Sequence, residues 1–379
     1  MGLWSLAPSR RPSFRGLVPV RLMVRVVLAA AFKLTMLPVQ RALATAAFPR
    51  CRHGVARNRK RAQIRTMRPD MPWLKTLRRV GGHTLHRVRV GGVPEHFNSP
   101  WHTAAVKGLF DANGLQVEWT DFPGGTGAMT KALRAGEIDI ALALTEGLVA
   151  DMHRRNPQYK LLGTYVASPL TWGVHAAAKN SKLQCMADLG QSVRYAVSRM
   201  GSGSHLMACV DAHARGLDPS GLTLEIVGGL DGARDALLAG RADVFMWETF
   251  TAKFLVDAGD WKRIGEVPTP WPCFSIAATD EALESGGEQL LRLLEVVRQE
   301  SADLLASPNC AKTIGLMYGQ HEKDVVEWLK GVRWCCRPTV SHAIIKDVMR
   351  SLVDAAVLKP SELLPPSALL SSLTRDEVP

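Results

Sequence analysis

The sequence predicts an α/β protein of two lobes, each a mainly parallel sheet flanked by helices, joined by two hinge crossings. Three observations predict it. From His86 onward, strand-like apolar or alternating runs take turns with runs of helical spacing. The same strand–turn–helix–strand pattern occurs twice. Two β-prone stretches, residues 169–176 and 270–277, stand where the chain would pass from one repeat to the other and back.

The first repeat begins with His86-Arg87-Val88-Arg89-Val90, which alternates as a strand does. Its C-terminal loop, Gly91 to Trp101, contains Pro94, Glu95, His96 and Phe97, and a helix is expected over residues 101–110. Residues 117–122 read as a second strand, parallel to the first if the helix between them is a crossover. Pro123-Gly124-Gly125-Thr126-Gly127 then opens a helix that Gly136 stops. The apolar run 138–144 reads as a strand covered on both faces and ends in Thr145-Glu146-Gly147.

The second repeat has strands at 194–198, 222–227 and 244–247 and a helix near 231–239. Ala132-Leu133-Arg134-Ala135-Gly136-Glu137-Ile138-Asp139-Ile140 parallels Ala236-Leu237-Leu238-Ala239-Gly240-Arg241-Ala242-Asp243-Val244. Each copy places a carboxylate past its strand, Glu146 and Glu248. Asp139 and Asp243 themselves are read as hydrogen-bonding residues at the helix ends or loops, outside any site. Helices at 287–305, 309–317, 322–330 and 341–356 would return to back the first lobe. The expected division is lobe 1 at residues 86–172 with 274–358, lobe 2 at 173–273, a basic leader at 1–79 and a loosely ordered, proline-bearing tail at 359–379.

Bulk composition narrows the function classes. The chain has 379 residues, 46% hydrophobic and 22% charged, enough for a full core in both lobes. Residues 1–79 hold 18 of the 47 Lys/Arg and one of the 35 Asp/Glu, leaving 29 bases against 34 acids in the remainder. The folded part is mildly acidic, which argues against nucleic acid as its partner. An Arg-rich, nearly acid-free, serine-poor leader with short apolar runs reads as a mitochondrial transit peptide. The alternatives are plastid import, a bacterial export signal around Ser9-Arg10-Arg11, or a basic arm. Arg25 and Lys33 interrupt its apolar stretch, so no membrane-spanning helix is expected there. Seven cysteines without a Cys-x-x-Cys imply a reduced compartment and no metal centre.

The binding chemistry centres on Ser198-Arg199-Met200-Gly201-Ser202-Gly203-Ser204-His205, a small-residue turn between a strand and a helix. Such a turn leaves backbone N–H groups aimed at one point, and Ser198, Ser202 and Ser204 add hydroxyls. The Gly125-Thr126-Gly127 turn offers the same device. Against these anion cradles stand Glu95, Glu146 and Glu248, which need a ligand with cationic or amide-like N–H donors. His96 and His205 are either titrating partners of those acids or hydrogen-bonded loop residues. Trp101, Trp172, Trp247 and Trp271 are candidates for a flat or apolar ligand body, each with the competing reading of core residue, and Thr145 completes the set. A small-molecule ligand follows, with no cofactor and no protein partner that the sequence identifies. The nucleotide fingerprint, the phosphate-binding lysine loop and the serine-hydrolase elbow are all lacking.

Taken together, several stretches resemble the type 2 periplasmic solute-binding proteins. They are Val93-Pro94-Glu95-His96-Phe97, Gly125-Thr126-Gly127-Ala128-Met129, Glu137-Ile138-Asp139-Ile140, Thr145-Glu146-Gly147, Ser168-Pro169-Leu170 with Trp172, the Ser198–Ser204 turn, Phe245-Met246-Trp247-Glu248 and Thr269-Pro270-Trp271. The likeness is to the sulfonate-, nitrate- and thiamine-pyrimidine-precursor branch, and closer still to a largely fungal set of stand-alone proteins. It implies two α/β lobes closing on a small solute, as carrier or sensor. It also raises a pyridoxal-phosphate-consuming, thiamine-pyrimidine-synthase-like alternative. For that, Cys335-Cys336 is a poor substitute for the family's cysteine-rich iron motif, and no lysine for the cofactor stands out.

Overall fold

The computed structural model describes residues 77–80, 83–155 and 157–377. Nearly all of the expected leader therefore lies outside the described residues; the described part starts at β1 (Leu77–Val80), three residues inside the leader's assigned end. β2 (His83–Gly92), α1 (Ser99–Val106), α2 (Leu109–Ala112), β3 (Leu115–Asp121), α3 (Thr126–Arg134), β4 (Ile140–Leu144), α4 (Thr145–Arg155) and β5 (Tyr159–Val166) follow. The helix expected at 101–110 is thus two, because Gly108 takes a left-handed φ of 71° between them.

The chain then leaves the first sheet and builds a second from β6 (Thr171–Ala177), β7 (Arg194–Val197), β8 (Thr223–Ile226), β9 (Val244–Glu248) and β10 (Trp261–Pro268). Helices α5 (Gly203–Ala214), α6 (Leu230–Ala239) and α7 (Lys253–Asp257) belong to this part. β11 (Phe274–Thr279) returns to the first sheet, followed by α8 (Asp280–Ala306), α9 (Cys310–Tyr318), α10 (Glu322–Leu329), β12 (Trp334–Arg337), β13 (Thr339–Val340) and α11 (His342–Asp354). Among the described residues no helix is long and apolar enough to cross a membrane.

The first sheet runs β1-β2-β4-β11-β5-β12 with β3 also paired to β2, and the second runs β10-β6-β9-β7-β8. The strand–helix–strand units give parallel pairs, β2 with β3 and β4, and β7 with β8 and β9. Both sheets are nevertheless mixed, which corrects the expectation of mainly parallel sheets. The strands flanking the crossings run the other way: β11 is antiparallel to β4 and β5, and β6 is antiparallel to β9 and β10. β5 carries the chain out of the first sheet and β11 brings it back, so the two run in opposite directions, as do β6 entering the second sheet and β10 leaving it.

The repeat seen in the sequence is real at the level of single bonds. Asp139 accepts the Arg89 backbone N–H at 2.7 Å and pairs with its guanidinium; Asp243 does the same for Arg194 at 2.9 Å. The two aspartates lock the start of β4 onto β2 and of β9 onto β7.

The tail corrects a second expectation. Beyond α11 the chain forms α12 (Pro366–Leu369) and β14 (Arg375–Asp376), which pairs with β13. Leu369 is 1% exposed, Lys160 Nζ donates to the Ala368 carbonyl, and Thr374 Oγ1 reaches the carbonyls of Leu161 and Leu162. Prolines suggested looseness, but the leucine among them anchors the segment to β5.

Candidate functional site

A cavity of about 500 Å³ opens between the C-terminal ends of strands from the two sheets. Its lining is set by where strands stop and helices start. Three helix N-termini reach it: Gly125-Thr126 at α3, Ser202-Gly203-Ser204 at α5, and Gly228-Gly229-Leu230 at α6. The first-turn amides of each helix have no acceptor within it. Gly125 and Gly229 place no capping side chain on those amides, which leaves them open to a ligand.

Arg199 joins them at the wall. Its Nη2 is buried without a hydrogen-bond partner, and burial holds the guanidinium below its ordinary pKa, partly offset by Asp151. It lies so close to Gly127 that a Cβ there would run into the guanidinium, so the two lobes touch at this point. A second inter-lobe bridge joins Lys253 of α7 to Asp324 of α10 at 3.5 Å.

The Ser/Gly turn is braced from within. Ser204 Oγ accepts the Ser198 N–H at 2.9 Å and lies 3.0 Å from Ser202 Oγ, which caps His205 N. These hydroxyls therefore shape the turn before they can meet a ligand, and their loss would loosen it.

Two carboxylates line the same cavity. Glu248 ends β9 and accepts both N and Oγ1 of Thr251, at 2.6 and 2.7 Å, yet burial pushes its carboxyl up to about 6. Glu95, half-buried in the loop after β2, is pushed up to about 8 by burial and by Glu248. The indoles of Trp172 and Trp247 form apolar wall, each with its Nε1 unpartnered.

The structure thus brings together ten of the expected residues: Glu95, Gly125, Thr126, Trp172, Ser198, Ser202, Gly203, Ser204, Trp247 and Glu248. It places the other eight outside that lining. Gly127 packs on Arg199, and Gly201 donates its N–H to His205 Nδ1 at 3.1 Å, fixing the outer side of the turn. His96 lines an adjoining cavity of about 380 Å³ that shares Glu95 and Thr251 with the first. Its ring is neutral, held down to about 3 by burial.

Trp101 is core, packed on Phe110, Trp119 and Tyr165. Thr145 and Glu146, at the start of α4, pack against Trp271 and Pro272 of the second crossing instead of lining the cavity. Thr145 Oγ1 donates to the Pro272 carbonyl, and Trp271 Nε1 donates to Glu146 Oε2 at 2.9 Å. Glu146 misses the cavity because it lies two residues past β4, in the first turn of α4, where its carboxyl meets Trp271; Glu248 is the last residue of β9, at the position of Leu144 in the repeat, and both of those line the cavity.

Sequence reasoning missed Arg199 as a cavity-lining residue, together with Asp231, Thr251 and the Gly228–Gly232 turn. Val227-Gly228-Gly229 was a readable signal, since it repeats the glycine pair at Gly124-Gly125 before a helix. No group of His, Cys, Asp and Glu suited to a metal ion occurs among the described residues.

Residues 172–267 match the family described as Ca3427-like PBP. The structure is similar to that of the Candida albicans CA3427 gene product, described as defining a new family with the generic periplasmic binding protein fold. The two are 28% identical with a TM-score of 0.71, covering 78% of this chain and 99% of that one. It is also similar to the alkanesulfonate-binding protein SsuA from Xanthomonas axonopodis pv. citri bound to MOPS (19% identity, TM-score 0.63, 74% of this chain and 97% of that one). The nitrate-binding protein NrtA from Synechocystis PCC 6803 shares the fold at 13% identity and a TM-score of 0.58, over 77% and 92%. No curated protein matches the chain. The chain has the type 2 periplasmic binding protein fold, and the two neighbours named by their ligands are binding proteins.

Proposed function

We propose that this chain, built on the two-lobed solute-binding fold, closes its cleft over a small molecule with a sulfonate-, carboxylate- or phosphate-like end and acts as a carrier or sensor. One observation carries the reading: Arg199 Nη2 is buried and unpartnered beside open helix N-termini. A cation and several oriented amides without an acceptor are a receptor for an anion. Each helix N-terminus contributes on the order of 0.3–1 kcal/mol, and more where closure excludes water. The Trp172 and Trp247 indoles support a flat or heterocyclic ligand body between them and the turn.

The test is calorimetric titration of the full chain with a panel of organic sulfonates and carboxylates, beginning with MOPS. Arg199→Gln is expected to weaken every anionic ligand by tenfold or more, a change of about 1.4 kcal/mol. Undiminished binding by the variant would remove the assignment. The leader supports organelle import as the setting; a tagged full chain that stays cytosolic, as a form lacking residues 1–75 should, would end that reading.

A further inference from the structure

The anion-binding end accounts for one side of the cavity and leaves the other unexplained. Glu95 comes from the first lobe and Glu248 from the second, and both line the same space. Among the described residues no arginine or lysine forms an ion pair with either carboxylate. The lysine that lines the adjoining cavity, Lys253, is held by Asp257 and Asp324. Arg199 is influenced by Asp151 and by neither glutamate. Glu248 is 4% exposed, so a full negative charge there is costly without a donor beyond Thr251.

His96 gives an independent sign that something is missing. Its ring is 1% exposed and its Nε2 has no hydrogen-bond partner, lying 3.9 Å from Glu248 Oε2, too far for a bond. Gln320 Nε2 stands 3.2 Å from the opposite nitrogen, Nδ1, which makes Nδ1 the acceptor and puts the ring proton on Nε2. A buried ring donor and two carboxylates from opposite lobes, Glu248 buried and Glu95 half-buried, therefore meet where the two cavities adjoin, and no hydrogen bond joins the ring to either.

From this we infer that the ligand is dipolar: an anionic group at Arg199 and the helix N-termini, and an ammonium or other N–H-donating group between Glu95 and Glu248. The inference rests on the anion reading above and narrows it. Simple anions such as nitrate or an alkylsulfonate would leave the acidic end unpaired on closure. A dipolar ligand supplies the cationic partner that both carboxylates lack, and it becomes bonded to both lobes at once. Its amino group thereby stabilises the closed form over the open one, in which the two glutamates part.

Matched probes separate the two readings. Taurine and ethanesulfonate differ by the amino group alone, as do β-alanine and propanoate. For the full chain, taurine is expected to bind at least tenfold more tightly than ethanesulfonate. In Glu95→Gln, a half-buried position where folding is not at risk, and in Glu248→Gln, whose amide oxygen still accepts from Thr251, that preference should collapse. It should collapse because taurine weakens while ethanesulfonate does not. Arg199→Gln should weaken both members of each pair. Equal or tighter binding of the amine-free probes to the unaltered protein would overturn the dipolar class while leaving the anion reading intact. Absence of binding by all four probes would overturn both.

Discussion

Glu146 offers the sharpest test of the hinge. It is fully buried, Trp271 Nε1 donates to one oxygen, and the other oxygen has no partner. Burial pushes its carboxyl from the ordinary 4.5 up to about 7, with the Trp271 bond opposing. A group whose folded pKa is raised contributes stability that is complete below its unfolded value and is lost as pH rises through the folded value. At about 1.4 kcal/mol per pH unit, the rise from 4.5 to about 7 corresponds to about 3 kcal/mol lost by alkaline pH. Glu146→Gln keeps an acceptor for Trp271 and cannot ionise, so it should escape this loss. At about pH 5 variant and parent should unfold together; by about pH 8.5 the variant should melt roughly 5 °C higher for a chain of this size. Thermal unfolding of the full chain followed by circular dichroism at both pH values reads the difference directly. Other groups with shifted pKa, including Glu95, Glu248, His96 and His175, titrate alike in both proteins and cancel. An identical gap at the two pH values would refute the reasoning, because it would show that ionisation of Glu146 does not strain the fold.

Two further outcomes follow from packing. Gly203→Ala sets a methyl against Leu144 Cδ1 and, at 2.7 Å, against Trp172 Cη2, where the helix start meets the other lobe. It should cost about 1–3 kcal/mol in urea unfolding and open the cleft in small-angle scattering; unchanged stability and shape would dismiss this close approach. Leu369→Ala, in the docked tail, should cost about 2–5 kcal/mol. A midpoint equal to the parent's would mean the tail is not anchored there.

How far the sequence was legible depends on the range of each interaction. Alternation of apolar runs with glycine stops placed β4, β9 and the helices before them within a few residues, since those signals are local. The matched Asp139 and Asp243 were correctly set aside as structural, and the structure supplies their partners, Arg89 and Arg194, some fifty residues earlier. The Ser/Gly turn was recognised because its spacing is a property of one loop. Glu146 and Glu248 looked equivalent because each follows a matching strand. They differ in where the strand ends: Glu248 is still the last residue of β9, whereas Glu146 is already in the first turn of α4. Arg199 was quoted within its motif yet carried no role, because its worth lies in having no partner. That property appears only when every neighbour is in place. The tail was misjudged for the opposite reason: prolines are visible in a sequence, and the β5 groove that receives Leu369 is not.

The place of β11 bears on how the molecule is made. This strand is inserted between β4 and β5, at the middle of the first sheet, yet it is encoded after every strand of the second. During synthesis the second sheet can assemble from one continuous stretch, while the first must wait with an unfilled central slot until residue 279 has emerged. The half that starts the chain is therefore the half that finishes last, and through that interval its exposed β4 and β5 edges are the ones in need of protection.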